Sequence, residues 1–280
     1  MSASLDIDHL RTWIGAERRS TDVITPRLAN GLAAVLDRPC DLAAGNPAPP
    51  GIHWCLAPEI APMSALGSDG HPARGVFMPP VPLPRRMWAG GELRFSGAFR
   101  VGDEVRRVSR IADVAEKAGR TGTLCFVTIS HDYSTAAGLV LSERQDLVYR
   151  AIEAPPAGEP RKADLPQPDR RAEIEGTATL LMRYSAVTFN GHRIHYDRDY
   201  CRNEELYPGL VVHGPLQATF LLQMAVDMDG GRLPSQFGFR ATAPLFDGTV
   251  FSLNGRREDD VTRLWVVNDQ GVVTMEARSA

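Results

Sequence analysis

Residues 214–228 read Gly-Pro-Leu-Gln-Ala-Thr-Phe-Leu-Leu-Gln-Met-Ala-Val-Asp-Met, a run that is apolar on almost every side of a helix. Pro215 suits the first turn, where its missing N–H is not needed, and Gly230-Gly231 ends the run. Because a helix that is apolar nearly all round must be buried, this segment predicts a central helix that other elements surround.

Strand-like segments flank this helix. Four follow it, at residues 236–243, 249–257, 262–268 and 271–278, and one is expected near 178–183. Residues 92–150 alternate apolar and polar side chains between turn residues, which predicts a four-strand antiparallel meander. Two helices are expected earlier, a short one within residues 6–16 and a buried one from Thr25 to Asp37. Both halves therefore have the order helix, then antiparallel strands.

This repetition predicts an α+β fold of the double hot-dog type, in which two long helices are each wrapped by a curved antiparallel sheet. The expected bounds are residues 1–153 for the first domain, 154–172 for a linker with five prolines, and 173–280 for the second domain. Residues 42–84 hold ten prolines. This Pro-rich loop should be ordered and extended, and it either covers a ligand groove or simply shields the sheet.

Composition limits the function. The 280 residues are 43% apolar and 23% charged with a net charge of -3, as in soluble globular proteins, and no nucleic-acid or membrane partner is expected. The four cysteines form no C-x-x-C pair, which argues against a zinc ribbon or a disulfide framework and favours free thiols. The sequence shows no signal peptide and no apolar run of about 18 residues, so a cytoplasmic location is expected.

The chemistry is concentrated just before the central helix. Residues 190–197 read Asn-Gly-His-Arg-Ile-His-Tyr-Asp, and Val212-His213-Gly214 leads into the helix. Imidazoles transfer protons near neutral pH, and a helix N-terminus offers free backbone N–H groups to a developing oxyanion. Together these groups suit the addition of water to an α,β-unsaturated acyl thioester, or its removal.

These two clusters resemble the MaoC-like, R-specific enoyl-CoA hydratase family, whose motif Gly-Asp-x-Asn-Pro-(Ile/Leu)-His-x-Asp is followed by (Ile/Val)-x-His-Gly. The resemblance is closer to a branch with mesaconyl-C4-CoA and itaconyl-CoA hydratases and fungal mitochondrial 3-hydroxyacyl-thioester dehydratases. It implies a hydro-lyase that acts on a short acyl-CoA, with coenzyme A as part of the substrate and no other cofactor. The chain would be a monomeric pseudo-dimer or a homodimer, its first half forming the CoA groove and a degenerate site.

The sequence departs from the family at two positions, because Asn190 replaces the aspartate and His192 replaces the asparagine. An amide cannot accept a proton, so the acid/base role falls on His195, while Asn190 holds the water and His192 is a possible second participant. By resemblance, the N–H of Gly214 faces the thioester oxygen. Arg193 and Arg86 are candidates for a substrate carboxylate or CoA phosphates, and Tyr196 and Val212 are expected to contact substrate.

Three alternatives stay open. A zinc site could form from His192 and His195 with Cys201 and His213, although the spacing lacks a second clustered pair, and no metal is expected. A thioesterase would need a carboxylate on the central helix, where Asp227 is the only acidic residue. A non-catalytic acyl-thioester-binding protein is compatible with Asn190. Within the hydro-lyase class, the substrate is a branched C5 dicarboxylic acyl-CoA or a linear 3-hydroxyacyl thioester, delivered by CoA or by acyl carrier protein.

Overall fold

The structure is a computed structural model that describes residues 5–119, 122–152 and 165–280. The helices of this part of the chain are α1 (Ile7–Arg11), α2 (Pro26–Val35), α3 (Ala178–Thr188), α4 (Arg198–Asn203) and α5 (Gly214–Met228). Its strands are β1 (Glu17–Val23), β2 (Arg85–Phe95), β3 (Glu104–Gly119), β4 (Gly122–Thr135), β5 (Gly138–Arg150), β6 (Arg170–Glu175), β7 (Gln236–Ala241), β8 (Val250–Glu258), β9 (Val261–Val267) and β10 (Val273–Ser279).

The strands form one antiparallel sheet in the order β1-β3-β4-β5-β2-β7-β10-β9-β8-β6. Strands β1 to β5 come from the first half of the chain, and β6 to β10 come from the second. The two halves join where β2 pairs with β7, with Gly91 opposite Phe239. The sheet is therefore continuous across the two halves.

Helix α5 is the buried centre of the second half, as its composition predicts. Its apolar side chains pack against β7 to β10 and β2. Gly214 opens the helix, and Asp229 follows its last residue. Helix α2 begins after Thr25, whose hydroxyl accepts a hydrogen bond from Leu28 N, and it joins the same hydrophobic core. This arrangement of helices inside a curved antiparallel sheet confirms the predicted fold class.

Three local features differ from the predictions. Residues 178–183 form the start of α3 instead of a strand, because Thr177 caps Leu180 N and burial falls on Leu181 and Tyr184, one helical turn apart. Strand β1 was missed, since its residues are mostly charged and polar and only one face is partly covered. The predicted opening helix spans only Ile7–Arg11.

The meander prediction is correct in strand number and direction but wrong in order. Strand β2 begins at Arg85 and pairs with β5, so its neighbour is not β3. The proposed linker, 154–172, lies largely outside the described residues, and β6 begins within its last three positions. The bounds 1–153 and 173–280 stay a proposal, because one hydrophobic core includes residues of both halves.

The Pro-rich loop, residues 42–84, is ordered and packed. Phe77, Val81 and Leu83 are buried against Ile111, Val127 and other side chains of β3 to β5 in a second hydrophobic cluster. Two short 3-10 turns, Ile52–Cys55 and Met63–Ala65, interrupt the loop. Among the described helices, none is both long and apolar enough to span a bilayer.

Candidate active site

A cavity of about 860 Å³ lies between the Pro-rich loop, strands of the first half and residues 184–197, which we call the motif segment. From the motif segment, the wall includes Asn190, Arg193 and Tyr196. From the first half it includes His71 and Arg86. The cavity has the size of a small-molecule site. The Pro-rich loop therefore forms part of the cavity wall. This agrees with the first of the two roles expected from the sequence, that the loop covers a ligand groove.

His195 is held in one orientation. It lies on the single turn Arg193–His195, is 6% exposed, and its Nδ1 donates a hydrogen bond to the carbonyl of Val211 at 2.7 Å. This bond leaves Nε2 with its lone pair. Burial lowers the pKa of His195 to about 3, so the ring is neutral at pH 7. It can accept a hydrogen bond or a proton, but burial opposes the cation that results.

The predicted histidines meet in one buried cluster. His195 stacks on His213 with ring centroids 3.5 Å apart, and it meets His192 edge-on at 5.5 Å. Burial lowers the pKa values of His192 and His213 as well. Nε2 of His213 is 2.8 Å from the Ser185 hydroxyl, which faces the cavity. His192 and His195 are buried, at 7% and 6% exposure, and their chain neighbours Asn190, Gly191 and Arg193 form the adjacent wall of the cavity.

The N-terminus of α5 lies beside this cluster. Among the described residues, none accepts a hydrogen bond from Gly214 N–H or from Leu216 N–H. A side chain at Gly214 would meet the Trp88 ring at 2.9 Å, so glycine is needed for this close approach. Pro215 is part of the cavity wall. Val212 is 1% exposed, and its N–H donates to the carbonyl of Leu245. Val212 is therefore part of the core that supports the segment leading into α5.

Asn190 follows α3 through Phe189, whose φ of 52° turns the chain sharply. The side-chain carbonyl of Asn190 accepts a hydrogen bond from His192 N at 2.9 Å. Its amide NH₂ is left to donate at the cavity, which is compatible with a water-holding role.

The arginines of the site have different surroundings. Arg193 donates to Asp197 from Nε at 3.0 Å and from Nη2 at 2.8 Å, and it lies 4.2 Å over the ring of Tyr200. Arg85, beside Arg86, is buried and paired with Glu205 at 2.9 Å. The side chain of Arg86 makes no hydrogen bond or ion pair with another described residue, although Arg86 is half-buried in the cavity wall.

Tyr196 lies at the rim and is 53% exposed, and its hydroxyl donates to the carbonyl of Gly191. Asp197 accepts from Tyr200 N and so caps α4.

Sequence reasoning missed Asp69 and His71, which lie in the Pro-rich loop more than 110 residues before the motif segment. Nδ1 of His71 is 3.1 Å from Oδ2 of Asp69, and the ring centroid of His71 is 4.2 Å from that of His192. The donor atoms of Asp69, His71 and His192 all lie within 4.8 Å of one another, a spacing that a metal ion could also occupy. In the sequence, the only sign of this pair is the segment Asp69-Gly70-His71, in which the glycine suggests a turn.

A second polar cluster, also missed, forms another part of the wall. Glu143 is 3% exposed and accepts hydrogen bonds from Trp54 Nε1 at 2.9 Å and from Tyr133 at 3.0 Å. Burial raises the pKa of Glu143, but the neighbouring His131 and His53 and these hydrogen bonds outweigh it, and the net pKa is lowered. This part of the wall is therefore anionic.

A curved antiparallel sheet around a buried helix, with histidines beside the helix N-terminus, defines a hot-dog protein of the hydratase type. Comparison with known proteins agrees. The model of the family described as hydroxyacyl-thioester dehydratase type 2 matches residues 51–247. Mesaconyl-C(4)-CoA hydratase of Chloroflexus aurantiacus is 41% identical over 267 residues, covering 95% of each chain. The mitochondrial hydroxyacyl-thioester dehydratase type 2 of Schizosaccharomyces pombe is 26% identical, over 70% of this chain and 74% of its own.

Solved structures share the fold. A MaoC-like dehydratase from Phytophthora capsici has a TM-score of 0.71 at 14% identity, over 99% of this chain and 98% of its own. A Mycobacterium tuberculosis protein described as a double hotdog fold has a TM-score of 0.56 at 13% identity, over 95% of each chain. The chain belongs to the hydroxyacyl-thioester dehydratase type 2 family, has the hot-dog fold and is a hydro-lyase.

Proposed function

We propose that this hydro-lyase acts on a branched C5 dicarboxylic acyl-CoA and interconverts mesaconyl-C4-CoA or itaconyl-CoA with citramalyl-CoA. The name of the 41% identical relative supports this substrate class. The structural observation that carries the proposal is Arg86, a cation in the cavity wall with no partner among the described residues.

The argument is electrostatic. A substrate with a free carboxylate cannot bury that group without a cation, since an unpaired buried charge costs several kcal/mol. Arg193 and Arg85 already have carboxylate partners, in Asp197 and Glu205. Arg86 therefore becomes the first candidate to bind the substrate carboxylate, ahead of Arg193. Glu143, which also lines the cavity, would repel that carboxylate, and this favours binding at Arg86.

The other roles follow the motif. His195 holds the water through its Nε2 lone pair and contributes acid/base catalysis, the Asn190 amide orients the same water, and Gly214 N–H binds the thioester oxygen. His192 supports His195 from the adjacent position. Coenzyme A is part of the substrate, and the chemistry needs no metal. We also propose that the protein works in the cytoplasm, as a single-chain pseudo-dimer or a homodimer of it.

A linear 3-hydroxyacyl thioester is the second candidate. The part of the cavity wall that supports it is apolar and consists of Met63, Leu66, Phe77, Met78, Ile129 and Leu147. An unbranched acyl chain would fit against these side chains, and there the carboxylate of a C5 diacid would be unpaired.

The test compares kcat/KM for itaconyl-CoA, mesaconyl-C4-CoA and crotonyl-CoA, and turnover is measured as the loss of enoyl-thioester absorbance. We expect a dicarboxylic substrate to be preferred, and Arg86→Ala to reduce kcat/KM for it by roughly 10-fold or more while changing crotonyl-CoA little. Arg27→Ala, which removes an exposed arginine on α2, is the matched control. A tenfold preference for crotonyl-CoA or longer linear substrates would replace the proposal with the second candidate.

A further inference from the structure

The Pro-rich loop is docked on the motif segment by its backbone. Arg193 N–H donates to the carbonyl of Asp69 at 2.9 Å, and Nη1 of Arg193 donates to the carbonyl of Ser68 at 3.0 Å. Gly70 has a φ of +86° and lies so close to the Gly191 carbonyl that no side chain fits between them. These contacts hold residues 68–71 against residues 191–193 and give His71 a defined place in the cavity wall.

His71 differs from the other histidines near the motif. His71 forms part of the cavity wall, and its side chain is 17% exposed, whereas His192 and His195 are buried. His71 also has a carboxylate on its ring, because Nδ1 donates to Asp69 Oδ2 at 3.1 Å. The Asp69 carboxylate is fixed in turn by His71 N–H at 3.0 Å. Nε2 of His71 is then left with its lone pair.

A buried imidazole that takes a proton needs a compensating anion. His195 has only a backbone carbonyl on Nδ1, so its protonated form is uncompensated. For His71, burial and the charges of Arg86 and Arg74 oppose protonation, but Asp69 favours it. The balance lowers the His71 pKa to about 4, so the ring is neutral at pH 7, and Asp69 is the group that stabilises the ring when it takes a proton. His192 adds a neutral ring beside it.

We propose that Asp69 and His71 form a second catalytic pair, which carries the proton during hydration and supplies the carboxylate that the motif lacks at Asn190. This inference rests on the proposed hydro-lyase function. His71 touches the reacting water, and Asp69 is a positioning residue that stabilises the charged ring. His195 and Asn190 hold the water.

The step balances with water and the enoyl thioester alone. One O–H bond of the water breaks and its proton goes to Nε2 of His71, while the oxygen forms a bond to the β-carbon. The electron pair of the C=C bond moves toward the thioester carbonyl, whose oxygen faces the N–H of Gly214. His71 then returns the proton to the α-carbon, which forms the C–H bond and restores the neutral ring.

The kinetic test uses the full chain and whichever enoyl-CoA the wild type turns over best. We expect His71→Ala to lower kcat by roughly 100-fold or more, and added imidazole to restore part of the activity. Asp69→Asn keeps an acceptor for His71 but loses the charge, so it should lower kcat and shift the pH profile. His9→Ala and Asp41→Asn, at exposed positions, are the controls and should behave like the wild type. Thermal unfolding verifies that each variant is folded.

A second measurement needs no turnover. The imidazole of His71 is titrated by NMR in the wild type and in Asp69→Asn, and the proposal requires its pKa to fall by roughly 1 unit or more when the charge is removed. An unchanged titration, or a folded His71→Ala variant with near-normal kcat, overturns the pair. Absence of wild-type activity on every enoyl-CoA would instead contradict the proposed function, and the titration would still decide whether Asp69 controls His71.

Discussion

The imidazole rings of His195 and His213 lie face to face, with centroids 3.5 Å apart and planes inclined by 17°. Two rings in such contact inside the protein cannot both carry a charge. Burial lowers the pKa of each, to about 3 for His195. The contact therefore requires neutral rings, and this requirement links the site to the stability of the fold.

The buried histidines of the protein predict that mild acid destabilises it. In the unfolded chain each histidine has a pKa near 6.5, whereas burial lowers those of His53 and His71 to about 4. Between pH 6.5 and 4 the unfolded state therefore binds more protons than the folded state. The free energy of unfolding is highest above pH 6.5 and falls as the pH drops toward 4. His195 alone would remove about 2 kcal/mol at pH 5. Urea unfolding at pH 7.5, 6 and 5 measures this loss; His53→Gln should reduce it, and His9→Gln should not.

His195→Ala should lower kcat by roughly 100-fold or more without unfolding the protein, because the ring that holds the water is lost. His192→Ala should cost less, since the His192 ring packs against His71 and His195 and supports them without holding the water itself. Steady-state kinetics with circular dichroism tests both. Retention of most activity in His195→Ala would show that this residue does not hold the water.

Asn190→Asp, which restores the residue of the wider family, should keep measurable activity. An aspartate can still accept the hydrogen bond from His192 N that Asn190 accepts at 2.9 Å, and it can still orient water. The measurement is kcat for the folded variant. Complete loss would mean that the amide NH₂ group is itself required as a donor.

Arg193→Ala should reduce stability and loop order more than substrate discrimination. The side chain pairs with Asp197 and donates to the Ser68 carbonyl, so its loss loosens the contact between the Pro-rich loop and the motif segment. We expect faster proteolysis within residues 42–84 and lower kcat for all thioesters alike. A loss confined to dicarboxylic substrates would instead return Arg193 to the role of carboxylate partner.

Dialysis against a chelator should leave activity unchanged. The hydrogen bond between Asp69 and His71 satisfies both groups without an ion, and the helix N-terminus supplies the polarising charge. Metal analysis of the active protein accompanies the assay. Activity that disappears on dialysis and returns with Zn²⁺ would show that the site formed by Asp69, His71 and His192 holds a metal.

Several elements could be predicted because their signals are local. Helix α5 has the bounds its composition indicates, and β7 to β10 lie within two residues of the expected segments. Asn190, His192 and His195 lie within six residues of one another, so their proximity follows from covalent connection. Prediction failed where local signals conflict. The apolar residues of 178–183 are compatible with a strand or a helix, and the cap that Thr177 provides favours the helix.

The sequence by itself determined the buried central helix, the alternation of the strands and the motif that precedes the helix, since these depend on periodicity and spacing within short segments. Only the tertiary structure decided that β2 pairs with β5 and β7, and that Asp69 and His71 lie beside His192. It also decided that Arg85 and Arg193 have carboxylate partners, whereas Arg86 has none in the described part of the chain. These contacts join residues up to about 150 positions apart. They form when the Pro-rich loop and the sheet bury apolar surface together. Patterns within short segments do not specify which segments distant in sequence will then be in contact.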